Sequence, residues 1–350
     1  RALRVPLPEP HRTASGVVAE SPLVLTDIRC SDGSVGHALV FAYTPAALRP
    51  LADLVRAFGD WVRGEAADPQ AIEARLQARL RLLGPQGLTG MALAAIDMAL
   101  WDAAARRAQS SLAALLGAPQ AVSPLPAYAP IGFDGERGCA AAAERWARAG
   151  FRGIKAKIGY STVAEDLAVI RAMRAAAGPA MVIMVDYNQC LTPSEALARV
   201  RALDGEGLTW IEEPVIAHDY AALAHCAAAA RTPLQAGENW WGALDLQHAL
   251  EAAATDLVMP DVMKTGGITG WQRAAALAQA HGRPMSNHLW PELSAQLLAA
   301  TPTRHWLEWA DWWNPILAEP LRLTDGCADI AAVIGSGIAW DEAAVARYVV

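Results

Sequence analysis

The sequence predicts an α/β fold, a (β/α)8-type barrel with an N-terminal α+β capping domain. Two observations support this prediction. The chain has 350 residues, which is more than one ordinary hydrophobic core holds, so two domains or a large barrel with an addition are favoured. Strand patterns followed by helical patterns fill residues 1–115, whereas strand and helix patterns alternate regularly over residues 116–320. Such alternation requires a parallel sheet.

Residues 1–115 are predicted to form the capping domain. The stretch "SPLVLTDIRCSDGSVGHALVFAY" contains two apolar strands around a turn at residues 31–34. In three later stretches apolar residues recur three and four positions apart, which is the spacing of one helix face. These stretches are "ALRPLADLVRAFGDWVRG", "PQAIEARLQARLRLLG" and "GMALAAIDMALWDAAARRAQ". Strands followed by helices indicate an α+β unit.

Residues 116–320 are predicted to form the barrel, because eight strand patterns separated by helices suggest closure. The strands are "LPAYAPIG", "GIKAKIG", "MVIMVDYN", "LTWIEEP", "PLQAGEN", "DLVMPD", "RPMSNH" and "HWLEWA". The alternative is a doubly wound open sheet, which needs a glycine-rich phosphate turn after its first strand. "YAPIGFDGERG" matches that fingerprint poorly. Residues 321–350 are expected to pack back on the capping domain.

Composition narrows the class of protein. The net charge is -7 and no basic stripe is visible, which argues against a nucleic-acid or anionic-membrane partner. No apolar run approaches the length of a bilayer span. The five cysteines are scattered without a CxxC pair, as is typical of reduced thiols. We therefore expect a soluble, cytoplasmic enzyme that acts on small molecules.

Acidic residues stand at the ends of three successive predicted strands, where side chains point into a barrel mouth. Asp186, Glu212 and Glu238 are separated by 26 residues each time, which is one strand–helix unit and places them at one height. Converging carboxylates repel one another without a counter-ion. Oxygen ligands with room for water and substrate favour Mg²⁺. The alternative is that each acid caps the following helix.

Two lysines lie one residue apart in the second predicted barrel strand, "GIKAKIGY". Lys155 and Lys157 share one face of a period-two pattern, so their ammonium groups lie close together. Like charges at that distance favour loss of one proton, which would lower the pKa of one lysine. The alternative is an edge strand protected by two solvated charges.

A histidine and an aspartate close two further strands. A lone histidine is more often structural, but Asp261 ends the strand that precedes the one ending at His288. A carboxylate there can hold the tautomer of the imidazole and raise its basicity. Asn188 lies near the end of the third strand and Glu308 ends the eighth. The sequence thus predicts a general-base dyad in the same mouth.

These motifs resemble the mandelate racemase subgroup of the enolase superfamily. The resemblance rests on "GIKAKIGY", "MVDYNQ", "TWIEEP", "GEN", "MPDVMKTGGITGW", "SNH" and "HWLE", and it runs over nearly all of the chain. "AIDMALWDAAA" resembles that superfamily's usual N-terminal-domain helix. The resemblance implies a Mg²⁺ enzyme that acts on a small carboxylate, and a homo-oligomer, by family pattern an octamer.

The resemblance also implies a role for each residue. Mg²⁺ would be bound by Asp186, Glu212 and Glu238. Lys157 would be the base on one face of the substrate's α-carbon, and His288, oriented by Asp261, the base on the other.

The carboxylate end of the substrate would meet three further residues. Lys155 and Glu308 would contact it, Glu308 as an acid that supports the enediolate, and Asn188 would face the α-hydroxyl. Lys155 and the metal would lower the pKa of Lys157, so that a neutral amine acts as base near pH 7.

The substrate-facing shell departs from that subgroup. Pro130 stands where mandelate racemase has a serine, and His11 and Arg12 in the predicted capping loop, residues 11–19, replace apolar positions. We expect His11, Arg12 or Tyr43 to contact the part of the substrate distal to its carboxylate, as part of a lid. The alternative is a solvated loop end with Tyr43 packed in the small-domain core.

Three functions follow from these residues. The leading one is Mg²⁺-dependent abstraction of the α-proton of a 2-hydroxy carboxylate, giving racemisation or epimerisation, because bases stand on both faces. The second is dehydration of an acid sugar on the same frame, with His288 helping the 3-hydroxyl leave. The third, from a different class, is a non-catalytic metal-binding or scaffold protein.

Overall fold

The structure, a computed structural model, describes residues 1–14, 16–120, 124–330 and 333–350. It begins with an antiparallel sheet of three strands in the order β1 (Ala2–Thr13), β2 (Gly16–Arg29) and β3 (Val35–Phe41). β2 and β3 are the two strands predicted around the turn at residues 31–34, and that prediction is confirmed.

The segment predicted as a capping loop, residues 11–19, is instead the paired end of a β-hairpin. His11 pairs with Val18 and Arg12 with Val17 across β1 and β2. The prediction of a loop followed the resemblance and was wrong, because backbone hydrogen bonds pair the residues on either side of the turn as strands. Position 15 lies outside the described residues.

Four helices follow the sheet: α1 (Pro45–Val62), α2 (Pro69–Arg79), α3 (Gly87–Arg107) and α4 (Leu112–Leu115). The side chains of Thr44 and Asp68 accept backbone N–H groups at the starts of α1 and α2, and each helix has proline at its first position. α1 buries one face at helical spacing, made by Leu48, Leu51, Val55 and Phe58. The three predicted helices are confirmed.

α3 is apolar on all sides. By length and composition it could cross a membrane, which corrects the prediction that no run approaches that length. However, 78% of its apolar stretch is buried inside the protein. A helix that is hydrophobic all round is either a core helix or a membrane span, and α3 packs against β3 and α1. It is the core helix of this part of the chain.

Parallel strands alternate with helices from residue 125 onward. The strands are β4 (Leu125–Ile131), β5 (Gly153–Lys157), β6 (Val182–Asp186), β7 (Ile211–Glu212), β8 (Leu234–Ala236), β9 (Leu257–Val258) and β10 (Leu307–Glu308). The helices are α5 (Gly135–Arg148), α6 (Val163–Ala177), α7 (Pro193–Leu203), α8 (Tyr220–Ala229), α9 (Gly242–Glu251), α10 (Gly267–Ala280) and α11 (Pro291–Ala299). β4 to β9 pair in sequence order and β10 pairs with β4, so the sheet returns to its first strand. The predicted barrel-type fold is confirmed.

The seventh predicted strand, in "RPMSNH", is reduced to isolated bridges. Met285 pairs with Val258 on one side and Arg304 on the other, and His288 pairs with Asp261. Pro284 has no backbone N–H to donate, although its carbonyl accepts the Val258 N–H at 3.0 Å. The sheet therefore continues between β9 and β10 through sparse pairing.

The C-terminal residues contact both parts of the chain. After a 3₁₀ turn at Asn314–Ile316, β11 (Leu323–Thr324) and β12 (Cys327–Ala328) form an antiparallel pair, and β12 pairs with β4. α12 (Glu342–Tyr348) contacts β1, and Val349 bridges Leu3. The end of the chain therefore touches the barrel sheet first and the N-terminal sheet afterwards.

Two buried acids hold the N-terminal helices on α10. Asp97 of α3 accepts a hydrogen bond from the Thr269 hydroxyl and one of 3.0 Å from the Thr269 backbone N–H. Glu73 of α2 forms a two-point ion pair with Arg273 at 2.7 and 2.8 Å. Burial raises the pKa of Asp97 to about 7, against the lowering effect of its bonds to Thr269.

We expect Asp97→Ala to lower the free energy of unfolding by about 2–3 kcal/mol, because the buried donors of Thr269 lose their acceptor. The raised pKa means that the unfolded chain binds fewer protons than the folded one between about pH 4 and 7. The advantage of the wild type should therefore shrink as the pH rises through that window. Urea unfolding at several pH values, followed by tryptophan fluorescence, measures both effects.

The control for this substitution is Asp53→Ala, which removes an exposed carboxylate paired with Arg56 on α1. An exposed pair contributes little, so the change should stay below about 0.5 kcal/mol. Equal losses in the two variants would contradict the role assigned to Asp97.

Candidate active site

Three buried carboxylates meet at the C-terminal ends of neighbouring strands. Asp186 is the last residue of β6, Glu212 is the last residue of β7, and Glu238 follows β8 by two residues. One oxygen of each side chain lies within 4.8 Å of the others. The convergence predicted from the 26-residue spacing is confirmed. We call these three residues the acid triad.

Other residues cap the helices that follow these strands. α7 begins with a capping box of Thr192 and Glu195, and the Asp219 side chain caps α8. At the start of α9, the Asp245 side chain accepts the backbone N–H of Trp241 at 2.8 Å. The alternative that the acid triad serves as helix caps therefore does not hold.

Gly237 allows the chain to turn from β8 into Glu238. Its φ of +143° is a conformation that residues with a side chain rarely adopt. A Cβ at this position would also approach the Met259 backbone to 3.0 Å. Any other residue there would shift the strand end that carries Glu238.

The electrostatics of the acid triad fit a hard divalent cation. Burial raises the pKa of Glu212 to about 8, since the attraction of Lys155 is opposed by the repulsion of the other two triad carboxylates. The Oε2 atom of Glu238 is buried and accepts no hydrogen bond from the described residues, although His288 Nε2 lies 3.3 Å away. Clustered carboxylate oxygens without enough donors are the ligands that Mg²⁺ prefers. The triad can therefore hold a metal ion.

Lys155 connects the acid triad to the eighth strand. Its Nζ lies 2.7 Å from Glu212 Oε1 and 2.7 Å from Glu308 Oε1, and the side chain is almost fully buried. Burial lowers the pKa of this ammonium, but the two carboxylates outweigh burial and raise it well above its ordinary value. Lys155 is thus a fixed positive charge, and the edge-strand alternative fails because β5 pairs with β4 and β6.

Lys157 forms an ion pair with Asp186. Burial lowers the pKa of Lys157, and so does Lys155, but Asp186 and the other triad acids outweigh both and raise it. The predicted lowering of this pKa is therefore wrong for the protein's own side chains. The prediction counted the repulsion between the lysines and not the attraction of three nearby carboxylates.

His288 and Asp261 form the predicted dyad. Nδ1 of His288 lies 2.8 Å from Asp261 Oδ2, which leaves Nε2 as the free nitrogen, 3.3 Å from Glu238 Oε2. Backbone N–H groups of Met263 and Lys264 donate to Asp261 Oδ1 at 2.7 and 3.1 Å. Burial lowers the pKa of His288, but Glu238 and the Asp261 hydrogen bond raise it above its ordinary value.

Glu308 is ionised in this arrangement. Burial raises its pKa, but Lys155, His288 and Lys157 outweigh burial and lower the pKa to about 2. The backbone N–H of Leu289 also donates to its Oε2 at 2.9 Å. The prediction that Glu308 acts as an acid therefore does not describe the site formed by the protein alone, because three cationic groups surround this carboxylate.

Asn188 lies beside the acid triad at the end of β6. Its backbone N–H donates to Asp186 Oδ1 at 2.6 Å and its amide to Asp186 Oδ2 at 3.1 Å. The buried Oδ1 of Asn188 has no partner among the described residues. Asn188 has a φ of +45°, and left-handed backbone recurs around the barrel mouth at Gln189, Glu213, Leu289 and Trp290. Such strained positions often cluster at functional sites.

An aromatic row from both parts of the chain borders the mouth. The His11 ring lies 5.5 Å from Trp312, Trp312 lies 5.8 Å from Phe41, and Phe41 lies 4.7 Å from Tyr43. Burial and the Lys157 ammonium lower the pKa of His11 to about 3. His11 is therefore a neutral polar group among these rings.

Arg12 is exposed, and its side chain and backbone bind the barrel rather than the aromatic row. Its guanidinium donates to Asp134 Oδ1 at 2.9 Å, and its backbone carbonyl accepts the Phe133 N–H at 2.8 Å. Both partners lie in the connection between β4 and α5. Arg12 therefore ties the hairpin to the barrel, an interaction that the sequence did not predict.

Family models and individual relatives match this chain along most of its length. Residues 1–117 match the mandelate racemase / muconate lactonizing enzyme N-terminal domain, and residues 138–344 match the enolase C-terminal domain-like model. D-galactarolactone cycloisomerase of Agrobacterium fabrum is 35% identical over 95% of this chain and 92% of its own length. L-talarate/galactarate dehydratase of Salmonella typhimurium is 33% identical over 93% of this chain and 82% of its own length. An enolase from Bradyrhizobium, complexed with magnesium and mandelic acid, has a TM-score of 0.93 and 43% identity over 100% of this chain and 96% of that chain.

The chain belongs to the mandelate racemase and muconate lactonizing enzyme family of the enolase superfamily. It is an enzyme of that superfamily, which removes the scaffold alternative. Solved neighbours contain magnesium and the acid triad can hold an ion, so the predicted Mg²⁺ cofactor is confirmed. Relatives within the family are cycloisomerases, dehydratases and epimerases.

Three residues that support the acids were not predicted from the sequence: Trp210, Asn239 and Lys264. Lys264 donates to Asn239 Oδ1 at 2.7 Å, and the Asn239 amide donates to Glu213 at 2.7 Å and to Glu238 at 3.2 Å. Trp210 holds Glu212 Oε2 at 3.0 Å. The position of Lys264, three residues after Asp261 in "MPDVMKTGG", is the sequence signal that could have identified it.

We expect Glu238→Gln to weaken Mg²⁺ binding at least tenfold, because one of three charged ligands becomes neutral. This substitution suits the test because Glu238 Oε2 accepts no hydrogen bond from the described residues, so few contacts within the protein are lost with the charge. Isothermal titration calorimetry with MgCl₂ measures the affinity. Glu251→Gln, an exposed position at the end of α9, is the matched control. Equal affinity in Glu238→Gln and wild type would remove Glu238 from the ligand set.

Proposed function

We propose that the protein removes the α-proton of a 2-hydroxy carboxylate with the help of Mg²⁺ and returns a proton on either face, a racemisation or epimerisation. One observation carries this proposal. Lys157 on the second barrel strand contacts Asp186, and His288 on the seventh contacts Glu238. Two proton-accepting groups thus reach different members of the acid triad from different sides of the mouth.

The charge of the enediolate is the main obstacle to this reaction, because a carbon acid next to a carboxylate is very weak. Mg²⁺ held by Asp186, Glu212 and Glu238 would supply positive charge at the substrate carboxylate. Lys155, whose raised pKa keeps it charged, adds a second fixed cation beside Glu308. With Mg²⁺ bound, both charges would be in place before the proton moves.

Proton transfer is assigned to two nitrogen atoms. In one direction Lys157 Nζ, as a neutral amine, takes the α-proton, and the His288 imidazolium returns one from Nε2 to the opposite face. Mg²⁺ at the acid triad would favour the neutral amine, because it would offset the carboxylates that raise the pKa of Lys157. In the other direction the two groups exchange roles. The hydrogen bond from Nδ1 to Asp261 keeps Nε2 turned toward the acid triad in both directions.

Glu308 has a conditional role in this proposal. A substrate carboxylate beside Lys155 would compete for the ammonium and add a second negative charge. Both effects raise the Glu308 pKa from its low value. Only then would Glu308 hold a proton that it can share with the enediolate.

Dehydration of an acid sugar is the second candidate. The neutral imidazole of His11 beside the mouth offers a hydrogen-bonding group to a hydroxylated substrate. One relative is a talarate and galactarate dehydratase. In this reaction Lys157 takes the α-proton and His288 protonates the departing 3-hydroxyl, so water leaves and a 2-keto-3-deoxy acid forms.

We expect both isomers of a 2-hydroxy acid substrate to exchange their α-proton in D₂O with Mg²⁺, since each base serves one face. Lys157→Ala should slow the exchange rate of one isomer about a thousandfold and leave that of the other unchanged. His288→Asn should have the opposite effect on the two isomers. Proton NMR on mandelate, talarate and galactarate measures exchange. The same spectra reveal a 2-keto-3-deoxy product if dehydration occurs.

Two outcomes of that experiment would count against the proposal. Absence of exchange and of product for every acid of a broad 2-hydroxy acid and acid-sugar panel would remove α-proton abstraction altogether. Formation of the keto acid without return of the proton would select dehydration over racemisation.

Two hairpin residues, His11 and Arg12, should affect different properties: His11 the preference between substrates, and Arg12 the attachment of the hairpin to the barrel. We expect His11→Ala to change the ratio of kcat/KM between mandelate and galactarate several-fold, because His11 faces the mouth. Arg12→Ala should instead raise KM for both acids by similar factors, because its guanidinium binds Asp134. Steady-state kinetics with both substrates measures these ratios. A change in preference in Arg12→Ala and none in His11→Ala would reverse these assignments.

A further inference from the structure

We propose that Tyr43 is a positioning residue for the His288 base and acts through Asp261. This inference rests on the proposed function, because it assumes that His288 transfers a proton. Tyr43 follows β3 of the N-terminal sheet, whereas Asp261 and His288 belong to the barrel. The two parts of the chain would then share the dyad.

The contact is made on the oxygen that holds the histidine. The Tyr43 hydroxyl donates to Asp261 Oδ2 at 3.3 Å, and the same oxygen accepts from His288 Nδ1 at 2.8 Å. The other oxygen, Oδ1, accepts the N–H groups of Met263 and Lys264. Four donors thus use the acceptor sites of this carboxylate and restrain its rotation.

The placement of Tyr43 indicates a purpose other than core packing. Its φ of +58° is a left-handed conformation that bulky residues rarely adopt. The residue is also 40% exposed, which contradicts the alternative that Tyr43 is packed in the small-domain core. The ring is held between Phe41 at 4.7 Å and the Lys264 ammonium at 4.8 Å. These contacts direct the hydroxyl at Asp261.

The other proposed base, Lys157, is held by a contact that does not involve Tyr43. Its ion pair is with Asp186, and both residues belong to barrel strands. Loss of the Tyr43 hydroxyl should therefore impair proton transfer on the His288 face and leave the Lys157 face alone. A general loss of fold or of Mg²⁺ would impair both faces equally.

Tyr43→Phe tests this, because it removes the hydroxyl and keeps the ring beside Phe41 and Lys264. In the Lys157→Ala background, where His288 alone exchanges the α-proton, we expect exchange in D₂O to fall about tenfold. In the His288→Asn background, exchange through Lys157 should stay within about twofold. The probes are mandelate, talarate and galactarate with saturating MgCl₂. Tyr220→Phe, which removes a phenol hydroxyl from α8 outside the site, should change neither rate.

A second measurement does not depend on turnover. Protein labelled with ¹⁵N-histidine and loaded with Mg²⁺ gives a ring N–H signal for His288 Nδ1, assigned by its loss in His288→Asn. Tyr43→Phe should shift or broaden that signal, and Tyr220→Phe should not. This readout tests Tyr43 even if no acid of the panel shows exchange, an outcome that would count against the proposed function alone.

Two results would overturn the role of Tyr43. One is an unchanged His288 signal in Tyr43→Phe. The other is an equal loss of exchange in the Lys157→Ala and His288→Asn backgrounds, which would indicate a structural effect shared by both faces.

Discussion

The burial of three carboxylates within a few ångströms of one another is the constraint on which the rest of the site depends. Like charges in a medium of low polarity repel strongly, so such a cluster persists only if cations are close. The chain supplies Lys155 and Lys157 from β5 and His288 from the opposite part of the barrel. The same cations are the groups that the proposed reaction needs. The residues that balance the charge of the buried carboxylates are therefore also the residues to which the proposed reaction assigns proton transfer.

The barrel turns that constraint into fixed geometry. Parallel strands end at one edge, so side chains that close successive strands lie at the same height. The backbone turns sharply beside the acids, with left-handed Glu213 directly after Glu212 and Gly237 directly before Glu238. Trp210 donates to an oxygen of Glu212 and Asn239 to an oxygen of Glu238. Few conformations remain available to these carboxylates, and this is how a cluster of flexible side chains becomes a preorganised site.

Spacing along the chain was sufficient to predict the barrel, the acid triad and the Asp261–His288 dyad, because a repeating strand–helix unit converts sequence distance into position. Properties that depend on contacts between distant segments were not accessible in this way. The pKa of Lys157 follows from carboxylates on three other strands, and the ion pair of Arg12 with Asp134 joins residues 122 positions apart. The hairpin at residues 11–19 was missed for a related reason, since pairing partners decide whether a segment is a strand.

The two proposed bases have contacts with different parts of the chain, and this has a consequence for selectivity. Among the described residues, the ion pairs of Lys155 and Lys157 are with barrel carboxylates, whereas the carboxylate that orients His288 also accepts a hydrogen bond from Tyr43 of the N-terminal part. Tyr43 contacts Phe41, and Phe41 contacts Trp312, the neighbour of His11. Ring contacts and one hydrogen bond therefore connect this aromatic row to the carboxylate that orients His288, whereas Lys157 acts on the row through its charge, which lowers the pKa of His11. If His288 transfers a proton as proposed, a substrate that displaced this row would disturb proton transfer on the His288 face first. The proposed function therefore implies that substrate fit and stereochemical outcome are coupled.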